Sequence, residues 1–483
     1  MPDMSGDKVL TIFLNRQSKT PLYEQLYLEI RKLIEDGNLS GNTKMPSKRK
    51  LAVNLNISQI TVDNAYQQLV AEGYLRSIPK SGFYVEMLLI SNKSVLVETI
   101  AKPDDKESII VKSLYDFKTN IIDWQMFPYD IWAKLSKETL SESNYSLVNE
   151  SDLQGCLQLR KAIAKYLASY RGIQATPDQV VVGAGSEYLL GLIIQLMDKN
   201  QIVALENPGY GKIARTFMSH DVNTIPIALD EQGLRCDELE RSRASIVHIT
   251  PSHQFPLGIV MPVARRLELL KWAKNGNDRL ILEDDYDSEF RFSGLPIPAL
   301  QGLDQIGKVI YFNSFSKSLA PSLRIGYMVL PKALLSRFRE TFNSYACSVP
   351  NFEQITLARF LDEGYFERHL NKMRKAYKNR KDYLIRILTK SGLNSWLDIR
   401  NSDAGLHFIM SVNNGMTEAE LINSAKAYDV NVYGVSDYYQ KPATNIPNSM
   451  LVIGYSGIST SLLSTAVENL EKAWGYTCKI KTE

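Results

Sequence analysis

From Pro21 the apolar residues Leu22, Leu26, Ile30, Leu33 and Ile34 return at helical spacing, and the pattern stops at Gly37, which predicts an amphipathic helix. After a polar turn, a short pattern runs from Lys48 to Leu55 and a second helix from Ser58 to Glu72, with Ser58 placed to cap its start and Gly73 to end it. Two short helices joined by a tight turn make a helix-turn-helix. The alternating stretch Tyr74 to Val85, with Pro79, Ser81 and Gly82 in its middle, predicts a β-hairpin wing. Residues 15–85 therefore read as a winged helix. Residues 86–113 have no clean period and contain the charged stretch Lys102 to Ser108, which predicts an interdomain linker. From residue 114 to 483, helical segments such as Leu157 to Tyr170 alternate with short apolar runs: Val180–Val182, Ile202–Leu205, Ile246–Ile249, Leu280–Leu282 and Val309–Phe312. Continuous apolar strands separated by helices predict an α/β domain built on a mostly parallel sheet covered on both faces.

Composition narrows the class without changing this picture. With 483 residues the chain exceeds one ordinary core, and 44% hydrophobic with 23% charged residues is ordinary for a soluble protein. No apolar run approaches the roughly 20 residues of a membrane helix, and the N-terminus lacks the layout of an export signal, so a cytoplasmic protein with no membrane partner is expected. Cys156, Cys236, Cys347 and Cys478 lie far apart with no CxxC spacing, which argues against a disulfide framework and against a zinc site; no metal is expected. The formal net charge is +3, but residues 11–85 hold ten basic and six acidic side chains, a local +4. That distribution suits a phosphate backbone, although a solvated basic face would give the same count.

Within the first segment, Lys48, Arg49 and Lys50 can make charge-assisted phosphate contacts, Lys80 lies in the wing, and Ser58, Gln59, Thr61 and Asn64 are short polar groups able to reach base edges. The run Met45 to Ala52, with Ile57 to Val62 and Ala65 to Tyr74, closely resembles the GntR family of winged-helix regulators over about residues 20 to 85. The resemblance implies that Ser58 to Glu72 is the recognition helix entering the major groove of double-stranded DNA. The family often has arginine where Gln59 and Asn64 stand, so fewer guanine-directed contacts are expected.

A second constellation lies in the large region. Asn313 to Tyr327 follows an apolar strand and sets Lys317 among small residues, with Arg324 seven positions on. A lysine there can form a Schiff base with pyridoxal phosphate, while Ser314, Ser316 and Arg324 can satisfy a phosphate dianion. Gly183 to Glu187 follows a strand and opens a helix, so the backbone at Ser186 and Glu187 can hold phosphate. Tyr210, after Pro208 and Gly209, is placed to stack on a pyridine ring, and one carboxylate of Glu283 to Asp287 can pair with the ring nitrogen while Tyr286 bonds the phenolic oxygen. Spacing does not choose between Asp284 and Asp285.

This region resembles the fold-type I aminotransferases, and the whole chain is similar to the MocR subfamily of GntR-type regulators. The resemblance implies Lys317 as the Schiff-base lysine, Asp284 as the pyridine partner, Tyr286 as the phenolate partner, Tyr210 as the stacking ring and Arg324 as a phosphate ligand. It also implies a head-to-tail homodimer. Two departures bear on the ligand. Phe255 stands where aminotransferases carry an asparagine, and no arginine follows Arg400 to clamp a substrate carboxylate. Where the γ-aminobutyrate-responsive regulator has a second arginine, this chain has Lys212, the expected effector contact. The expectation is a transcription regulator that senses a small amine, amino acid, dipeptide or pyridoxal phosphate itself; the alternative is an aminotransferase with an accessory DNA-binding domain.

Overall fold

The computed structural model of the chain describes residues 12–87, 114–141, 147–292, 297–440 and 447–475. The chain divides into two compact units, Met1–Ile109 and Ile110–Glu483. Most of the expected linker, from residue 88 to 113, lies outside the described residues, as does Cys478.

In the small unit, Leu26, Ile30 and Ile34 are buried along one side of the helix Leu22–Glu35, and Leu22 and Leu33 are half-buried. They meet Leu51, Val62, Ala65, Tyr66 and Leu69 from the helices Lys48–Leu55 and Gln59–Ala71. Each of these two helices starts on a serine whose hydroxyl accepts a backbone N–H, Ser47 from Lys50 at 3.2 Å and Ser58 from Thr61 at 3.0 Å. Asn56 turns the chain between them in the left-handed region at φ 51°. The wing pairs Leu75–Ile78 antiparallel with Gly82–Val85.

In the large unit an eight-stranded sheet has the order Val180–Gly183, Gly326–Val329, Val309–Ser314, Leu280–Asp284, Ile246–Ile249, Val203–Asn207, Thr224–Asp230, Gly233–Leu234. All five apolar runs named above lie in it, the second of them from Val203 onward. The pairings from Thr224–Asp230 through Val309–Ser314 are parallel, whereas Gly326–Val329 runs antiparallel to both its neighbours. Successive side chains leave opposite faces: Val180 and Val182 pack with Leu159, Ile163 and Phe360, while Val181 packs with Leu189, Ile193 and Phe338. Three of the strands run two residues past their apolar runs and end on Asn207, Asp284 and Ser314. Those polar residues are thereby delivered to the carboxyl edge of the sheet, where ligands of open α/β folds bind.

The sequence pattern did not separate a second, antiparallel sheet near the C-terminus, ordered Leu397–Arg400, His407–Val412, Met450–Gly454, Tyr433–Gly434. Its apolar face packs with Met373, Tyr377 and Leu384 of the helix Tyr365–Lys390 and with Leu463 and Leu470 of Thr460–Gly475.

Candidate functional site

Ten side chains singled out from the large region line one cavity of about 270 Å³: Ser186, Glu187, Tyr210, Lys212, Asp284, Tyr286, Ser314, Ser316, Lys317 and Arg324. Their elements explain the convergence. Asp284 and Ser314 end parallel strands, Ser186 opens the helix Ser186–Leu196, and Tyr210 caps the helix Gly211–Ser219. Lys317 and Arg324 come from the turn between Val309–Ser314 and its antiparallel neighbour, so the hairpin that breaks the parallel pattern also carries the lysine and arginine. Asn120, Ile213, Thr250, Phe255 and Pro321 complete the lining.

Lys317 is half-buried, and its Nζ donates to the Asn120 carbonyl at 2.7 Å. Burial lowers its pKa to about 8, against a smaller opposing pull from Asp287. A sizeable neutral fraction near pH 8 is what an amine nucleophile requires. Asn120 gave no signal in the sequence, being 197 residues away.

Asp284 and Asp285 are separated by their surroundings. Asp285 is fully buried and turned away from the cavity, 2.7 Å from Arg171 and accepting from the Tyr311 hydroxyl at 2.5 Å. Asp284 lines the cavity, with His248 Nε2 3.5 Å behind it.

At the other end of the cavity, Gly185 sits at φ 94°, where an added Cβ would lie 2.8 Å from the Arg324 guanidinium. This glycine is required both by its backbone conformation and by the close approach of the arginine. Arg324 donates to the Ala184 carbonyl at 3.1 Å and lies 3.6 Å from Glu187, which also pairs with Lys212. The Glu187 carboxylate thus faces the two cations, and its backbone N–H, in the first turn of the helix, is the group suited to phosphate. A lysine beside an aromatic ring, a carboxylate and a glycine-lined cationic pocket at a helix start fits pyridoxal phosphate.

Beneath the cavity, burial pushes Glu206, Glu283 and Glu289 up to about 7, against hydrogen bonds from Thr250 to Glu206, from the Leu300 and Gln301 amides to Glu283, and from Asn313 to Glu289. Asp285 adds to the shift of the last two. A carboxyl whose folded pKa exceeds its unfolded value, about 4.3, keeps a proton that the unfolded chain has released, so its contribution to stability falls as pH rises from about 4 through 7. Glu206→Gln should therefore flatten the decline of Tm between pH 5 and 8 relative to the parent; an identical Tm profile would contradict the shift.

His253, Asp287 and His407, all buried, bring potential metal-ligand atoms within 4.8 Å of one another. Hydrogen bonds account for the arrangement: His253 Nδ1 lies 2.9 Å from Asp287, and His407 Nε2 lies 2.8 Å from the Pro256 carbonyl.

In the small unit, Arg49, Lys50, Ser58, Gln59, Asn64 and Lys80 are exposed. Lys48 is half-buried, paired with Asp63 at 2.5 Å and lying over the Phe83 ring at 5.1 Å, so it ties its own helix to the next helix and to the wing. Thr61 shares a hydrogen bond with Ser58 at 2.8 Å. Ile60, apolar and so not among the polar candidates above, is 73% exposed at the start of the helix Gln59–Ala71.

Residues 22–85 match the family described as bacterial regulatory proteins, gntR family, and residues 119–436 match aminotransferase class I and II. The "uncharacterized HTH-type transcriptional regulator YdeL" of Bacillus subtilis is 37% identical over 467 residues, 96% of this chain and 99% of that protein. The "probable rhizopine catabolism regulatory protein MocR" of Rhizobium meliloti is 32% identical over 480 residues, 96% of each. Among solved structures, the multiple substrate aminotransferase of Thermococcus profundus superposes with a TM-score of 0.68 at 24% identity, covering 79% of this chain and 97% of that one, which shows a shared fold.

Proposed function

The chain belongs to the MocR-type GntR regulators, a helix-turn-helix joined to an aminotransferase class I and II domain, and on that premise we propose that it is a pyridoxal phosphate-dependent, DNA-binding transcription regulator that senses a small amine or amino-acid-related effector at Lys317. The observation that carries this reading is that the lysine, aromatic, carboxylate and phosphate-binding positions named from the sequence all line one cavity in a chain that also carries a DNA-binding head.

Lys317 would anchor the cofactor, Asp284 would face its ring nitrogen, Tyr286 its phenolic oxygen and Tyr210 its ring. Ser186, the Glu187 amide, Ser314, Ser316 and Arg324 would hold its phosphate. When bound, the cofactor supplies an electrophilic carbon that an incoming amine can capture in place of the lysine. The protein's part is to lower the pKa of Lys317 Nζ by burial, so that a larger fraction is neutral, to orient it by the Asn120 carbonyl, and to exclude water with Phe255, which packs edge-on to Tyr210 and Tyr286. The working form proposed is a cytoplasmic head-to-tail homodimer; among the described residues no helix is long and apolar enough to cross a membrane.

Lys212 is the residue proposed to meet an effector carboxylate, and its pairing with Glu187 sets the expected strength. A lysine already held by a carboxylate, without the fork geometry of arginine, should lose on the order of 10- to 150-fold in affinity against a bidentate clamp. γ-Aminobutyrate and L- or D-alanine should accordingly change the visible absorbance of the loaded protein only weakly, with little or no turnover. Micromolar saturation by any of them would overturn that expectation, and multiple turnovers would place the protein among the aminotransferases.

On the DNA side, Arg49→Ala should weaken all duplexes alike and reduce the salt slope by about one, whereas Gln59→Ala should reorder preference among them. Fluorescence anisotropy over a set of duplexes reads both; an unchanged ranking with Gln59→Ala would remove that residue from base reading.

A further inference from the structure

Behind Tyr286 lies a pair of groups that the site as described does not use. His253 Nδ1 is 2.9 Å from the Asp287 carboxylate and 3.0 Å from the Tyr286 hydroxyl oxygen, and both His253 and Asp287 are buried. A carboxylate only accepts, so the short contact with Asp287 places the imidazole proton on Nδ1. The Tyr286 oxygen then meets that same N–H, shared with Asp287 in a three-centre bond, rather than a lone pair. It accepts there, and its own proton is left for the cavity that Tyr286 lines.

The surroundings hold this arrangement. Gly405, at φ 72°, presses its backbone against His253 and Asp287, and an added Cβ would overlap both. The Gly405 amide donates to the Phe290 carbonyl at 2.8 Å, and the Tyr455 hydroxyl donates to the Gly405 carbonyl at 2.6 Å, so the loop is fixed. His407 packs on the His253 ring at 4.8 Å, and burial, followed by His253 itself, lowers its pKa to about 3, so it stays uncharged. Phe255, which lines the cavity beside Tyr286, offers no hydrogen-bond donor of its own.

We propose that His253 and Asp287 are a positioning pair that fixes the Tyr286 hydroxyl as a hydrogen-bond donor into the cavity. This rests on the cofactor reading above, since the acceptor in the cavity would be the phenolic oxygen of pyridoxal phosphate. A donor on that oxygen draws electron density from it and weakens its hold on the proton of the lysine-bound nitrogen, so the pair should lower the pH at which that proton is lost. The other ionisable groups facing Tyr286, His253 and Asp287 are Asp284, Asp285, Glu206, His407, Lys317 and Tyr455, and the variants below leave all six in place.

The test is a pH titration of the visible absorbance of the loaded, full-length protein. Tyr286→Phe should raise the midpoint by about one pH unit, the worth of one hydrogen bond. His253→Phe should raise it similarly, and the double variant should go no further than either single, because the two act on one bond. His253→Asn, whose amide can stand at the Nδ1 position, should restore the parent midpoint. His253→Gln, whose amide reaches the Nε2 position and keeps a polar side chain in the core, should shift like His253→Phe and serves if the aromatic variant does not fold. An unmoved midpoint in His253→Gln alongside a shifted Tyr286→Phe, or additive shifts in the double variant, overturns the proposal. A parent band that holds its proton to the alkaline limit of stability would contradict the predicted lowering, whereas the absence of any visible band would count against the cofactor reading itself.

Discussion

Lys317→Ala should abolish the visible absorbance of the purified protein and the lysine adduct that borohydride would fix, a loss of covalent capture rather than a graded weakening. Two lysines line the cavity, Lys317 and Lys212. Lys212 is exposed and paired with Glu187, while Lys317 sits against the Asn120 carbonyl with its pKa drawn down to about 8 by burial. A nucleophilic amine must be neutral, and the difference in setting makes Lys317 the reactive one. Mass spectrometry of the borohydride-treated protein should find the adduct on the peptide containing Lys317. An adduct that persists in Lys317→Ala would remove the assignment.

Arg171→Ala should be the most damaging substitution among the groups under the site. Asp285 is fully buried, and its partners are the Arg171 guanidinium at 2.7 Å and the Tyr311 hydroxyl at 2.5 Å. Arg171 also donates to Ser252 at 2.8 Å and to the Ile297 carbonyl. Removing one member of a buried ion pair leaves an uncompensated charge and costs about 3–5 kcal/mol, whereas replacing both with apolar groups of similar volume can be close to neutral. Denaturant unfolding should therefore show a large drop in midpoint for Arg171→Ala and a much smaller one for Arg171→Met combined with Asp285→Leu. Equal losses in the two proteins would contradict the pairing.

How far the sequence carried depends on the range over which each feature is encoded. The helix Leu22–Glu35 and the strand Val309–Ser314 are local, since spacing and flanking residues specify them. Lys317 and Arg324 were legible because strand, lysine and arginine lie in one stretch. The antiparallel insertion of Gly326–Val329 beside Val180–Gly183 was not, because nothing in four apolar residues states which strand they will join. The choice of Asp284 over Asp285 needed the family pattern in the sequence; in the fold Arg171, more than a hundred residues upstream, claims Asp285 and leaves Asp284 lining the cavity. The pairing of Lys48 with Asp63 and the Phe83 ring, and of Lys212 with Glu187, gave no signal in the sequence, because each depends on residues brought together by the fold. His253 was passed over because an isolated histidine has no pattern; its significance comes from Tyr286 and Asp287 meeting it across 33 and 34 residues.

The central claim, that an amine reacting at Lys317 changes how the head engages DNA, is tested most directly by footprinting the loaded full-length protein on its own upstream DNA. The footprint should be measured with and without an amine that visibly reacts, beside Lys317→Ala. The account predicts a footprint that changes in extent or affinity with the amine in the parent protein and is indifferent to it in Lys317→Ala. A parent footprint that stays the same while the absorbance shows the amine fully reacted would contradict it.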